Sequence, residues 1–200
     1  MEKVVNYLET IKKLVINIDM VVGFCEKGAL ADPGIKRAIP YQIERLELAK
    51  NDKEADIVFV EEDHDENCEE FKYFPPHCVK GTEECNVVDE LKEYEDDAFI
   101  IKKNSTSGIF VKDFEELLES AKNLEKVELQ GCCTDLCVMN LAIPLRNYFN
   151  QHNRNVDIEV YEETVETYNI PGVHERDEYN KWAFKFMELN GVKVKKLGGK

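Results

Sequence analysis

No run of apolar residues in this 200-residue chain approaches the roughly 20 that a membrane-spanning helix needs, so no span is expected. No stretch gathers Lys and Arg into a basic surface. Acidic residues number 41 against 26 basic ones, a formal charge of −15, which argues against phosphate-backbone binding and a nucleic-acid partner. No CxxC pair suggests a structural zinc site. The seven cysteines, at 25, 68, 78, 85, 132, 133 and 137, are odd in number and irregularly spaced, which fits reduced thiols better than a disulfide framework. Repeats, low-complexity segments and linkers are also missing, so residues 1–200 read as a single domain whose 43% hydrophobic content can bury one large core. Met1-Glu2-Lys3 leads into an amphipathic segment rather than a signal peptide, and the expected location is cytoplasmic.

What the chain does contain is an alternation of apolar strands and amphipathic helices. Val4, Leu8, Ile11 and Leu14 repeat at helical spacing, and Leu14 to Ile18 is a continuous apolar strand ending on Asp19. A helix is expected over Ile35 to Ala49, with Pro40 inside or near it, then a buried strand over Ile57 to Val60. Val87, Val88 and Leu91 seed a helix before the strand Ala98 to Ile101, and Phe114, Leu117, Leu118 and Ala121 mark another before the strand Val127 to Leu129. The pattern breaks at Gly131 and restarts as a helix through Val138, Leu141, Ala142 and Leu145, which Pro144 should kink. A fifth strand at Val156 to Val160, a helix at Tyr179 to Leu189 stopped by Gly191, and a sixth strand at Val192 to Val194 complete the series. Strands alternating with helices imply a three-layer α/β architecture, its mostly parallel six-stranded sheet covered on both faces.

Three strand ends carry chemistry. Asp19 follows the first strand, Lys103 the third and Cys137, after a turn, the fourth. Taken alone, Asp19 could be a turn acid and the cysteines around 132–137 could be small residues packing a corner. In a parallel sheet, however, these ends open on one edge, where ligand crevices lie. A thiol near a helix start and beside an ammonium favours the thiolate, and a carboxylate within reach can take its proton and return it to a leaving amine. Backbone N–H groups of the turn would face the developing oxyanion, each contributing about 3 kcal/mol.

These residues carry a resemblance. Asp19-Met20-Val21-Val22-Gly23-Phe24 with Gly28-Ala29-Leu30, Phe74-Pro75-Pro76-His77-Cys78-Val79-Lys80-Gly81-Thr82, Lys103 to Ser107, and Gly131 to Val138 together resemble the isochorismatase-like cysteine hydrolases, nicotinamidase branch. The resemblance implies an isochorismatase-like fold with Rossmann-like strand order and a catalytic triad of Asp19, Lys103 and Cys137. Lys103 rather than Lys102 is selected by its distance from Ser107. It also implies a non-proline cis peptide between Cys132 and Cys133, aiming the Cys133 and Cys137 amides into an oxyanion hole. A divalent ion, zinc first and manganese or iron as alternatives, would be held by Glu62, His64, Glu70 and His77. Phe24 and Phe74 match positions whose rings sandwich the substrate.

The match has departures. Glu62 stands where the family usually has Asp, Val21-Val22 replace Gln-Asn, and Gly108-Ile109-Phe110 is one residue longer than the common spacing. The activity the resemblance implies is hydrolysis of a small-molecule amide through a thioester, nicotinamide to nicotinate plus ammonia, within NAD salvage. The alternatives are another small amide, a ureido compound or a vinyl ether as substrate, or a non-catalytic binding protein on the same fold. Relatives in this superfamily are often homo-oligomers, and the same is expected here.

Overall fold

The computed structural model describes residues 7–198. Its six strands are β1 (Lys13–Ile18), β2 (Ala55–Glu62), β3 (Phe99–Lys103), β4 (Lys126–Cys132), β5 (Asp157–Glu166) and β6 (Lys193–Lys195). They lie in the order β3-β2-β1-β4-β5-β6, and every pairing is parallel. The longer helices are α1 (Ile39–Lys50), α2 (Lys112–Ser120), α3 (Met139–Gln151) and α4 (Arg176–Leu189). No helix among the described residues is long and apolar enough to cross a membrane.

The alternation of side chains along the strands builds one apolar layer on each face of the sheet. Leu14, Ile16 and Ile18 of β1, Val58 and Val60 of β2, and Val127 and Leu129 of β4 pack with Phe114, Leu118, Leu141, Leu145, Phe149 and Met187 from α2, α3 and α4. On the other face Val15, Ile57 and Phe59 pack with Ile39, Leu46 and Ala49 of α1. Each of these large side chains contributes roughly 1.5–3 kcal/mol on burial. The central strand β1 is covered on both faces, which is why Leu14, Val15, Ile16 and Ile18 are all apolar, and the one polar residue among them, the buried Asn17, donates to Gln42 Oε1 at 3.3 Å.

Several element boundaries differ from the sequence reading. Strand β2 extends through Glu61 and Glu62, because these residues pair in register with Lys102 and Lys103 of β3 and each acid finds a base opposite. The helix expected from Val87 is a 3-10 turn at Asp89–Leu91 followed by a single α turn at Lys92–Glu95. Val87 instead bridges Val21, and the Val88 N–H donates to Met20 O at 3.0 Å, tying this segment to the loop after β1. Of the N-terminal helical pattern, Val4 lies outside the described residues, Leu8 and Ile11 are buried in the core, and Leu14 belongs to β1. Pro144 lies inside α3. The peptide between Cys132 and Cys133 is cis.

Candidate active site

Asp19 sits immediately past β1 with φ of +51°, a left-handed conformation uncommon outside glycine. Two hydrogen bonds hold it there: its N–H donates to Val60 O at 2.9 Å, and its Oδ1 accepts from the Glu62 N–H at 2.8 Å. Lys103 ends β3 on the same sheet edge. Its Nζ reaches 2.8 Å from Asp19 Oδ2, 2.9 Å from Glu62 Oε1 and 3.9 Å from Cys137 Sγ. Cys137 lies in the π turn Thr134–Val138 that joins β4 to α3. Its Sγ is 3.6 Å from Glu62 Oε1, and the Asp19, Glu62 and Cys137 side-chain atoms all fall within 4.8 Å of one another. Acid, cation and sulfur therefore meet at one point, all buried.

Burial sets the electrostatics. Removal from water and the neighbouring Glu62 push the Asp19 carboxyl up to about 6, with Lys103 opposing. For Glu62, burial acts upward, but Lys103 and the two histidines prevail and hold it well below the usual carboxylate range. For Lys103, burial acts downward, but Asp19, Cys137 and Glu62 keep it firmly protonated. The Cys137 thiol corrects an expectation. Its place before α3 and beside Lys103 suggested a ready thiolate, yet burial dominates, Asp19 and Glu62 add to it, and the thiol is raised well above its ordinary value. At rest the sulfur keeps its proton, and the adjacent carboxylates are the groups placed to accept it.

Glu62 also faces a pair of histidines. Its Oε2 is 3.1 Å from His64 Nε2 and 3.0 Å from His77 Nε2. The His77 Nδ1–H donates to Pro75 O at 2.8 Å, so Nε2 turns its lone pair toward the carboxylate unless a cation lies between them. A proton or a metal ion meets that need. Two imidazoles and a carboxylate, mutually within 4.8 Å and buried, form a donor set suited to zinc, manganese or iron. His64 Nδ1 lies 3.3 Å from Cys68 Sγ, which orients the ring with Nε2 inward. The residues present thus fit a divalent ion. Glu70 is not brought into this group: its carboxylate accepts from the Thr106 N–H at 2.7 Å and from the Thr106 hydroxyl.

Above the thiol, Glu62, Glu70, His77, Cys133 and Cys137 line a cavity of about 30 Å³ together with Phe24 and Phe74. The His77 ring lies 5.6 Å from that of Phe24 and 6.2 Å from that of Phe74. Sequence reasoning missed a second polar cluster beside the turn that carries Cys137. Asp135 Oδ1 accepts from the Thr167 hydroxyl at 2.5 Å, and Oδ2 lies 2.8 Å from His174 Nε2. The His174 Nδ1–H donates to Tyr168 O at 3.1 Å, and the ring is stacked between Tyr168 at 3.8 Å and Tyr179 at 3.6 Å. The only signal for it was an Asp two residues before Cys137 and a lone histidine some forty positions on.

An isochorismatase domain matches residues 13–195. Nicotinamidase 1 of Arabidopsis thaliana is 29% identical over 171 residues, covering 77% of this chain and 69% of that one. The isochorismatase family protein PncA of Bacillus subtilis is 28% identical over 125 residues; the alignment spans 58% of this chain and 64% of the relative, just under two thirds of its length. Among solved structures, the pyrazinamidase of Pyrococcus horikoshii in complex with zinc superposes with a TM-score of 0.74 at 26% identity, covering 92% of this chain and 99% of that one. The parallel sheet, the residues gathered on its edge and a domain match over nearly the whole length agree: this chain belongs to the isochorismatase family.

Proposed function

We propose that the chain is a cysteine amidohydrolase acting on a small amide, nicotinamide first among them, to give the carboxylic acid and ammonia. The observation that carries this reading is the meeting of Cys137 Sγ, Lys103 Nζ and the Asp19 carboxylate, with Cys137 lining a cavity and the other two behind it. Nicotinamidase and pyrazinamidase relatives support the choice of substrate.

Asp19 takes the proton from Cys137, and the sulfur forms a bond to the amide carbonyl carbon. Lys103 offsets negative charge as the proton leaves the sulfur. The Cys133 and Cys137 amides are the donors assigned to the tetrahedral oxyanion. Asp19 returns the proton to the amide nitrogen, the C–N bond breaks, and ammonia departs from a thioester. Water then adds to that carbonyl with Asp19 as base, the C–S bond breaks, and the thiol regains its proton as the carboxylic acid leaves. Glu62, His64 and His77 would hold a divalent ion, which supplies Lewis-acid binding of a ring nitrogen or of water. Phe24 and Phe74 flank the ring, and Glu70 acts through Thr106 to shape the cavity wall.

Ammonia release from nicotinamide, with and without a chelator, tests substrate and ion together. Cys137→Ala is expected to abolish release while circular dichroism and melting stay close to the parent. Ammonia production by that variant at the parental rate would remove Cys137 from the reaction.

A further inference from the structure

Two cavities meet beside the thiol, and they differ in size and character. The inner one, about 30 Å³, has room for little more than one water-sized group. A carboxamide head can reach into it, but a whole ring cannot. The outer one, about 500 Å³, falls in the range that encloses sizeable organic ligands. The two share Phe24, Leu30, Phe74, Cys133 and Leu136, so the body of a molecule whose amide sits at Cys137 extends directly into the outer space. Its remaining walls are mostly apolar, with Ala29, Ala31, Pro33 and Ile170 prominent.

Charge is distributed just as unevenly. Among the described residues, no Lys or Arg lines either cavity, whereas Asp32, Glu62 and Glu70 do. Lys103 stands behind the inner cavity, committed to Asp19 and Glu62. Arg176 approaches the outer one but is turned away: its guanidinium donates to Asp32 Oδ2 at 2.5 Å and to Thr167 O at 2.8 Å. An acyl group carrying a carboxylate would therefore find no free side-chain cation in the outer cavity, in a protein of net charge −15.

We infer that the site takes the small ring amide of the reading above, favours uncharged amides that extend that ring by a further apolar segment, and rejects amides bearing a second, anionic group. This specificity rests on the amidohydrolase reading above. The carboxamide occupies the inner cavity, the ring lies between Phe24 and Phe74, and the further segment fills the outer cavity against Leu30 and Ile170. Hydrophobic burial of that segment favours longer substrates.

The test compares kcat/KM for ammonia release from matched pairs on the parent protein. Biphenyl-4-carboxamide is expected to exceed benzamide at least tenfold. Methyl 4-carbamoylbenzoate is expected to exceed 4-carbamoylbenzoate at least a hundredfold, and Ile170→Lys should narrow that ratio about tenfold. Calorimetric binding of the last two amides to Cys137→Ala reads the same preference without turnover, with the ester bound at least tenfold more tightly. Equal treatment of ester and carboxylate in both assays overturns the charge selection, and benzamide matching biphenyl-4-carboxamide overturns the extended outer segment. Preferential binding of the ester without ammonia from any amide would leave the specificity standing and sink the hydrolase reading instead.

Discussion

Replacing Lys103 by Met tests the electrostatic core of the site while keeping an apolar side chain of similar length. The ammonium is 1% exposed and lies 2.8 and 2.9 Å from the Asp19 and Glu62 carboxylates. Without it, two buried carboxylates within 4.8 Å repel by about 3.5 kcal/mol at an effective dielectric constant near 20. Breaking a buried ion pair by removing one partner costs about 3–5 kcal/mol, in line with that figure. The variant escapes the penalty by keeping a proton on Asp19. Lys103 holds the Asp19 carboxyl down, so its loss pushes that group above its present value of about 6.

The sign follows from linkage. A carboxyl raised in the folded state contributes stability that is fully present below its unfolded value and is lost as pH rises through its folded value. In the parent that loss is complete just above pH 6; in Lys103→Met it continues past neutrality. Urea denaturation should therefore show a deficit of about 3–5 kcal/mol at pH 8 and less than half of it at pH 5. A cavity or packing defect would give the same deficit at both pH values. That result, or a variant as stable as the parent at pH 8, would refute the reasoning.

Two further outcomes follow. If Asp19 must be ionised to accept the thiol proton, kcat/KM falls about tenfold per pH unit below about 6 in initial-rate assays of ammonia release, and a flat profile down to pH 5 would take Asp19 out of proton transfer. His174→Ala removes the partner that joins Asp135 to Tyr168; losing about 2 kcal/mol of charge-assisted hydrogen bonding should lower Tm by roughly 4–8 °C, and an unchanged Tm would show that neither these bonds nor the stacking of Tyr168 and Tyr179 on the imidazole holds this segment.

The strands were legible because apolar runs such as Leu14 to Ile16 and Ile57 to Val60 have only one place to go in a sheet covered on both faces. The meeting of Asp19, Lys103 and Cys137 was legible for the same reason: once the sheet is parallel, strand ends share an edge. Glu62 was harder to read. The family resemblance offered it as a metal ligand in place of the usual Asp, but its reach to Lys103 and to the Cys137 sulfur depends on β2 running two residues further than its apolar pattern, a boundary set by pairing with β3. Glu70 accepts hydrogen bonds from Thr106, 36 residues further along the chain, a contact that no spacing announces. The charge on the thiol was misread because a helix start and an ammonium are visible in sequence, whereas complete burial is not.

Gly131 settles how acid and nucleophile are spaced. It pairs with Ile18 across the two central strands with φ of +125°, and a side-chain carbon there would lie 2.1 Å from Ile18 O. One residue past Ile18 is Asp19, and two past Gly131 is Cys133, where the nucleophile turn begins. The gap between the two reacting segments is thus gauged by main chain against main chain, at a point where no larger residue can act as a spacer. Changes among the helices outside reach this separation only through the turn that carries Cys137, not through the strand contact itself.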